Sequence, residues 1–150
     1  MSGNQRRRIT MDRQEIETLC RSRRTAILCS HLPDGNIHAV PMWFLVEGAD
    51  LVFSTKGKSQ KVQNLRRDSR ATVLIESGET YFALRGVEMI GHVELVEDPS
   101  EVLRYVTLVA ESYGGATSNL SSAERARNRV LIRFSPERVA SWDHAKLERD

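Results

Sequence analysis

Two tetrapeptides suited to reversing the chain, Pro33-Asp34-Gly35-Asn36 and Glu47-Gly48-Ala49-Asp50, bracket a β-patterned run over residues 37–46. Proline presets φ, aspartate bonds the backbone two residues on, and glycine supplies positive φ at no steric cost. Turns this tight join only antiparallel neighbours. With Ala26-Ile27-Leu28-Cys29 before and Leu51-Val52-Phe53-Ser54 after, they predict a three-stranded meander and exclude a βαβ unit. Strand signals return over residues 71–75, over 81–96, and over 130–134 with 139–142, the last pair broken at Ser135-Pro136. Val87, Met89, Gly91, Val93 and Leu95 alternate with Glu88, Ile90, His92 and Glu94. Gly86 and Gly91 inside that run predict bulges or close backbone approach, which a sheet closing into a barrel requires. Six or seven strands with short helical insertions make a mainly β chain, an antiparallel barrel with peripheral helices.

Three stretches have helical spacing. Ile16, Leu19 and Cys20 share one face of a helix over residues 12–22, behind a Thr or Asp cap. Ser59 caps a second over 59–69 with Val62 and Leu65 inward, and Asp98-Pro99 opens a third whose Val102, Tyr105, Val106 and Val109 form a stripe. Residues 114–120 read as a small-residue loop and 121–128 as a helical turn. Residues 1–9 are polar, basic and aperiodic and predict a disordered arm, leaving 10–150 as a single domain.

Composition narrows the function classes. With 22 Lys+Arg against 20 Asp+Glu, the net charge of +2 provides no general nucleic-acid footprint. Arg125, Arg127 and Arg129, with Arg66, Arg67 and Arg70, form a basic cluster that lacks the interleaved aromatics single-stranded RNA would stack on. The longest apolar run, over residues 39–46, contains Pro41 and is far short of a membrane span. No apolar stretch follows the N-terminal arginines as in a secretory signal, and Cys20 and Cys29 lack CxxC spacing. A cytoplasmic protein with reduced thiols, binding neither membrane nor nucleic acid, is expected. His31, His38, His92 and His144 show no metal-ligand spacing, and no serine or cysteine lies in a nucleophile context.

The richest stretch chemically runs from Ser54-Thr55 through Lys56-Gly57-Lys58-Ser59 to Lys61 and Asn64. Hydroxyls at a strand end, lysines, and a helix N-terminus whose amides and dipole favour an anion make a phosphate site on a strand–loop–helix. A solvated basic loop before an ordinary capped helix fits the same residues. Pro41-Met42-Trp43-Phe44 lies mid-strand, where a proline requires an edge or a bulge. A ring system could lie against such backbone; Trp43 and Phe44 as barrel core is the competing assignment.

These features, in this order, resemble a known family. The turn at Pro33-Asp34-Gly35, the strand Val40-Pro41-Met42-Trp43-Phe44, Ser54-Thr55, Lys58-Ser59-Gln60-Lys61, Asn64-Leu65-Arg66-Arg67-Asp68, Leu84-Arg85-Gly86-Val87 and the terminal Ser141-Trp142-Asp143-His144 resemble the split β-barrel flavin/deazaflavin oxidoreductases. These are relatives of pyridoxamine 5′-phosphate oxidase, and the sequence is most similar to their F420-dependent branch. The resemblance implies a six-stranded split barrel and a homodimer with cofactor at the interface. It implies that Lys58, Ser59 and Lys61 hold the cofactor phosphate with Ser54 and Thr55, that Asn64 buttresses them, and that Pro41, Met42 and Trp43 line the ring system. Trp142 and His144 would approach the pocket from the C-terminal strand, of the same chain or of the partner chain. Tyr81 and His144 are the candidates for packing the acceptor or supplying a proton.

True pyridoxamine phosphate oxidases share an Arg…Lys pair along the strand that here reads residues 38–44, and a Trp- and Ser-rich C-terminal motif. Both are absent. The resemblance therefore implies a reductase passing hydride from coenzyme F420 to a small organic acceptor. An FMN-binding reductase, or a non-catalytic carrier of flavin, deazaflavin or haem, are the alternatives. Arg66, Arg67 and Arg70 would attract the coenzyme's polyglutamate tail.

Overall fold

A computed structural model describes residues 3–113 and 120–148. The chain runs α1 (Gly3–Ile9), α2 (Arg13–Ser22), β1 (Thr25–His31), β2 (Ile37–Trp43), β3 (Leu45–Glu47), β4 (Asp50–Lys56), α3 (Gln60–Arg67), β5 (Arg70–Ser77), β6 (Arg85–Val96), α4 (Pro99–Ser112), α5 (Ser122–Ala126) and β7 (Arg129–Asp143). Single 3-10 turns lie at Tyr81–Ala83 and His144–Leu147. The strands form one antiparallel sheet in the order β2-β1-β5-β6-β7-β4-β3, curled into a half-barrel.

The β1–β2 hairpin turns where the sequence predicts: Asp34 Oδ1 accepts from Asn36 N at 2.9 Å and Gly35 has φ +86°. The meander differs from expectation in its middle strand. Residues 37–47 divide at Phe44: β2 pairs with β1, whereas β3 pairs with β4 at the opposite end of the sheet. One bent segment thus contributes to both edges, which is why seven strands stand where six were expected. Pro41 lies on the β2 edge, opposite Ile27, as a residue without an N–H requires.

Strand alternation sorts side chains into two cores. Leu51 and Phe53 of β4 and Ile132 and Phe134 of β7 point into the barrel with Phe44, Leu28, Val73 and Val87. Val52 and Leu131 point outward and are covered by Val102, Tyr105 and Val106 of α4. The Tyr105 hydroxyl donates to the Val52 carbonyl at 2.6 Å, satisfying its polar end in an apolar layer. Burial also raises the Tyr105 hydroxyl's pKa, so it stays protonated as that donor.

Both glycines of β6 are close-approach sites. A Cβ on Gly86 would fall 2.5 Å from the Trp142 ring, and one on Gly91 would fall 2.0 Å from the Ser135 carbonyl oxygen. The pairing register shifts between Ile90 and Gly91, with Ile90 opposite Arg138 and Gly91 opposite Pro136. The expected break at Ser135-Pro136 is therefore a bulge in one continuous strand, with Glu137 the extra residue; its carboxylate pairs with His92.

The helices agree with their caps. Asp12 and Glu15 form a capping box on α2, Asp98 accepts from Ser100 N and Glu101 N on α4, and Ser121 with Glu124 caps α5. The N-terminal arm departs from expectation. Residues 3–9 form a helix with Ile9 buried, and Lys146 Nζ donates to the Thr10 carbonyl at 2.9 Å and to Glu15 at 2.7 Å. One apolar side chain and a distant lysine anchor a segment whose composition is otherwise that of a tail. The loop expected over 114–120 lies, except for Leu120, outside the described residues. No described helix is long and apolar enough to cross a membrane.

Candidate functional site

The predicted phosphate residues gather where β4 runs into α3. Thr55 faces the barrel side and is buried; its Oγ1 is 3.2 Å from Lys61 Nζ. Lys61 is half-buried, and desolvation first, then the charge of Arg129, lower its pKa from the ordinary lysine value. A cation held in this way is stabilised by a bound anion. Ser59 occupies the N-cap of α3, but its hydroxyl caps no amide; its Oγ is buried and without a hydrogen-bond partner. A buried hydroxyl left unpaired at a helix N-terminus, on the same strand–loop–helix as the Lys61 ammonium, fits an incoming phosphate oxygen. Lys58 is exposed on the loop between them.

Asn64 is a buttress and not a ligand. It is fully buried, donates to Ser30 Oγ at 3.1 Å, and accepts from Gln60 Nε2 at 2.8 Å and Arg67 at 3.4 Å. These bonds fasten α3 to β1. Asn64→Ala leaves Ser30 Oγ buried and unpaired and costs about 2 kcal/mol of stability, measured by urea unfolding, with cofactor affinity in the folded protein nearly unchanged.

Ser54 follows a different path. Successive strand residues face opposite sides, so Ser54 points away from Thr55, toward α4. There it borders a cavity of about 270 Å³ with Met42 and Trp43 on one rim, Val106, Val109 and Ala110 of α4 on the wall, and Arg125 and Arg129 at the end. Arg129 donates to the Ser54 carbonyl and Oγ, each at 3.4 Å. Trp43 and Phe44 separate: Phe44 is 1% exposed and belongs to the barrel core, whereas Trp43 is 46% exposed and meets Tyr113 edge-on at 5.1 Å. The core assignment therefore holds for Phe44 and not for Trp43.

Trp142, Tyr81 and His144 are not brought to this cavity within one chain. They lie at the far end of β6 and β7, where the Trp142 ring covers Gly86. The Tyr81 ring is 4.7 Å from that of His144, whose Nδ1 is 2.9 Å from the Tyr81 carbonyl. Tyr81 and Phe82 are exposed beside them. The expected tail-binding arginines are already engaged: Arg66 pairs with Glu97, Arg70 with Asp68 at 2.7 Å, and Arg67 with Asn64 and the His31 carbonyl.

Arg125 and Arg129 are the site residues that sequence reasoning assigned elsewhere, to a basic surface cluster. Cross-strand pairing of Lys56 with Arg129 and of Ser54 with Leu131, and the folding of α5 against α4, bring them to β4. The sequence signal was the spacing of the two arginines across a short capped helix, which says nothing of what that helix packs against.

The family model described as pyridoxamine 5′-phosphate oxidase matches residues 12–143. The chain belongs to that family. No curated protein matches in sequence. Among solved structures, a conserved hypothetical protein from Mycobacterium tuberculosis is 39% identical with a TM-score of 0.88, covering 97% of this chain and 93% of the other. An F420 reductase is 24% identical with a TM-score of 0.68, covering 82% and 94%. A haem storage protein from Vibrio cholerae is 15% identical with a TM-score of 0.69, covering 87% and 96%. The last two likenesses show the fold alone, which proteins of different roles share.

Proposed function

We propose that the chain is an oxidoreductase that uses coenzyme F420, with FMN the alternative occupant, to reduce a small organic acceptor. The observation that carries the reading is the unpaired, buried Ser59 hydroxyl beside the partly desolvated Lys61. Lys61, Lys58 and Ser59 hold the phosphate, with Thr55 orienting the Lys61 ammonium. The edge of β2 at Pro41, Met42 and Trp43 leaves backbone groups free to line the ring system. When bound, the coenzyme supplies the hydride; the chain positions it and keeps water from the α4 side with Val106, Val109 and Ala110. The absence of any Arg or Lys over residues 38–44 argues against pyridoxamine phosphate oxidation, and the likeness to an F420 reductase supports the deazaflavin.

A homodimer completes this reading. The exposed Tyr81 and Phe82 beside His144 and Trp142 form an apolar and aromatic face remote from the chain's own cavity. Such a face suits covering the cavity of a second copy.

Separate titrations with coenzyme F420 and FMN, followed by fluorescence quenching and anisotropy, test the cofactor. Micromolar or tighter F420 binding, with FMN weaker by about tenfold or more, is expected. The reverse order makes the chain an FMN reductase. Binding of neither leaves the fold in place and removes the redox function, and tight binding without turnover across many acceptors identifies a carrier.

A further inference from the structure

The cavity under α4 holds positive charge that the coenzyme phosphate does not use. Arg125 Nε is shielded from solvent and has no hydrogen-bond partner, and the guanidinium's bond is one from NH2 to Ser122 Oγ at 3.3 Å. Arg129 lines the same space, donates to Ser54, and otherwise neighbours a second cation, Lys61. Among the described residues neither arginine has an acid within ion-pair distance, and no aspartate or glutamate lines the cavity. The segment 114–119 contains no acid either. This contrasts with Arg66, Arg70, Arg104 and Arg133, each of which faces a carboxylate.

A guanidinium fork with an unused, buried N–H matches a carboxylate in geometry and charge. The facing wall, Val106, Val109 and Ala110, offers only apolar surface. The two features together select a ligand with an acid at one end and an apolar body at the other. Thr55, which holds the Lys61 ammonium, points to the opposite face of β4 from Ser54, and Arg129 stands between the two sites, lining the cavity with Arg125 while its charge reaches Lys61. A polyglutamate chain would set further carboxylates against valines, so it fits the cavity poorly.

We infer that Arg125, with Arg129 beside it, anchors the carboxylate of the acceptor, so that the substrates of this chain are small acids with an apolar or aromatic body. The role of that ligand as acceptor rests on the oxidoreductase reading; the carboxylate site itself does not.

The test uses a matched pair of probes, cinnamate and its neutral amide cinnamamide, titrated calorimetrically into the full chain with and without F420. Cinnamate is expected to bind about tenfold or more tightly than cinnamamide, as a charge-assisted hydrogen bond provides. Arg125→Gln abolishes that preference, Arg125→Lys retains part of it, and Arg66→Gln leaves it intact. F420 affinity of Arg125→Gln stays at the wild-type value. Equal affinity for acid and amide overturns the inference, as does a preference that survives Arg125→Gln. A loss of F420 affinity in Arg125→Gln overturns it too, by assigning the residue to the coenzyme's phosphate or acidic tail. Failure of F420 to bind the wild-type chain, with the acid preference retained, removes the cofactor reading and leaves the carboxylate site standing.

Discussion

Gly91→Ala is expected to destabilise the protein by about 3 kcal/mol, lowering Tm by about 10 °C in a thermal melt. The added Cβ would fall 2.0 Å from the Ser135 carbonyl oxygen and 3.1 Å from Pro136 Cα. Both neighbours are backbone, held at the bulge where Gly91 faces Pro136. No rotamer change relieves the overlap, so β6 and β7 must part at the centre of the sheet. Gly86→Ala is the internal comparison. Its Cβ meets the half-buried Trp142 side chain at 2.5 Å and the Ile75 carbonyl oxygen only at 3.2 Å, so a shift of one side chain relieves the closest contact. The Gly86 variant should lose less stability, about 1 kcal/mol. Equal losses at the two positions would show that the bulge is not a rigid element.

The double variant Lys58→Ala/Lys61→Ala is expected to weaken cofactor binding by about 2 kcal/mol, roughly thirtyfold in Kd, with little loss of stability. Lys61 is the larger contributor, because its ammonium is partly desolvated and neighbours Arg129 without a counter-ion. In the absence of ligand the cost of that desolvated charge offsets the hydrogen bond it gives Thr55, so its removal changes Tm little. A fall in Tm with unchanged Kd would reverse the assignment, making the lysines structural and placing the phosphate elsewhere. The contrast with Asn64→Ala, which is expected to lose stability and keep affinity, separates groups that hold a ligand from those that hold the site together.

Local chemistry made much of this legible. Turn residues at 33–36 and 47–50 set the antiparallel plan because proline presets φ and glycine admits the positive φ that reverses the chain within a few residues. Period-two alternation in residues 85–96 and the α4 stripe reported the buried faces directly. The candidate anion site at Ser59 and Lys61 was legible because strand end, loop and helix N-terminus are contiguous in sequence.

What depends on distant partners was not legible. The helix over residues 3–9 is anchored by its buried Ile9 and, one residue on, by the Lys146 bond to the Thr10 carbonyl. The division of residues 37–47 between two sheet edges follows from closure of the barrel, which no local pattern encodes. Trp43 and Phe44 differ by one position and so point to opposite faces, yet which face is core depends on where the strand bends. Arg125 and Arg129 became site residues only when β7 paired with β4 and α5 packed on α4. The sequence by itself determined most of the strands, the turns and one candidate anion-binding loop, because those are set by torsional preference and residue spacing. Tertiary structure alone decided which side of β4 each hydroxyl serves, which cations remain without an acid, and how far Trp142 stands from the cavity. Those outcomes depend on long-range pairing and on the desolvation it imposes.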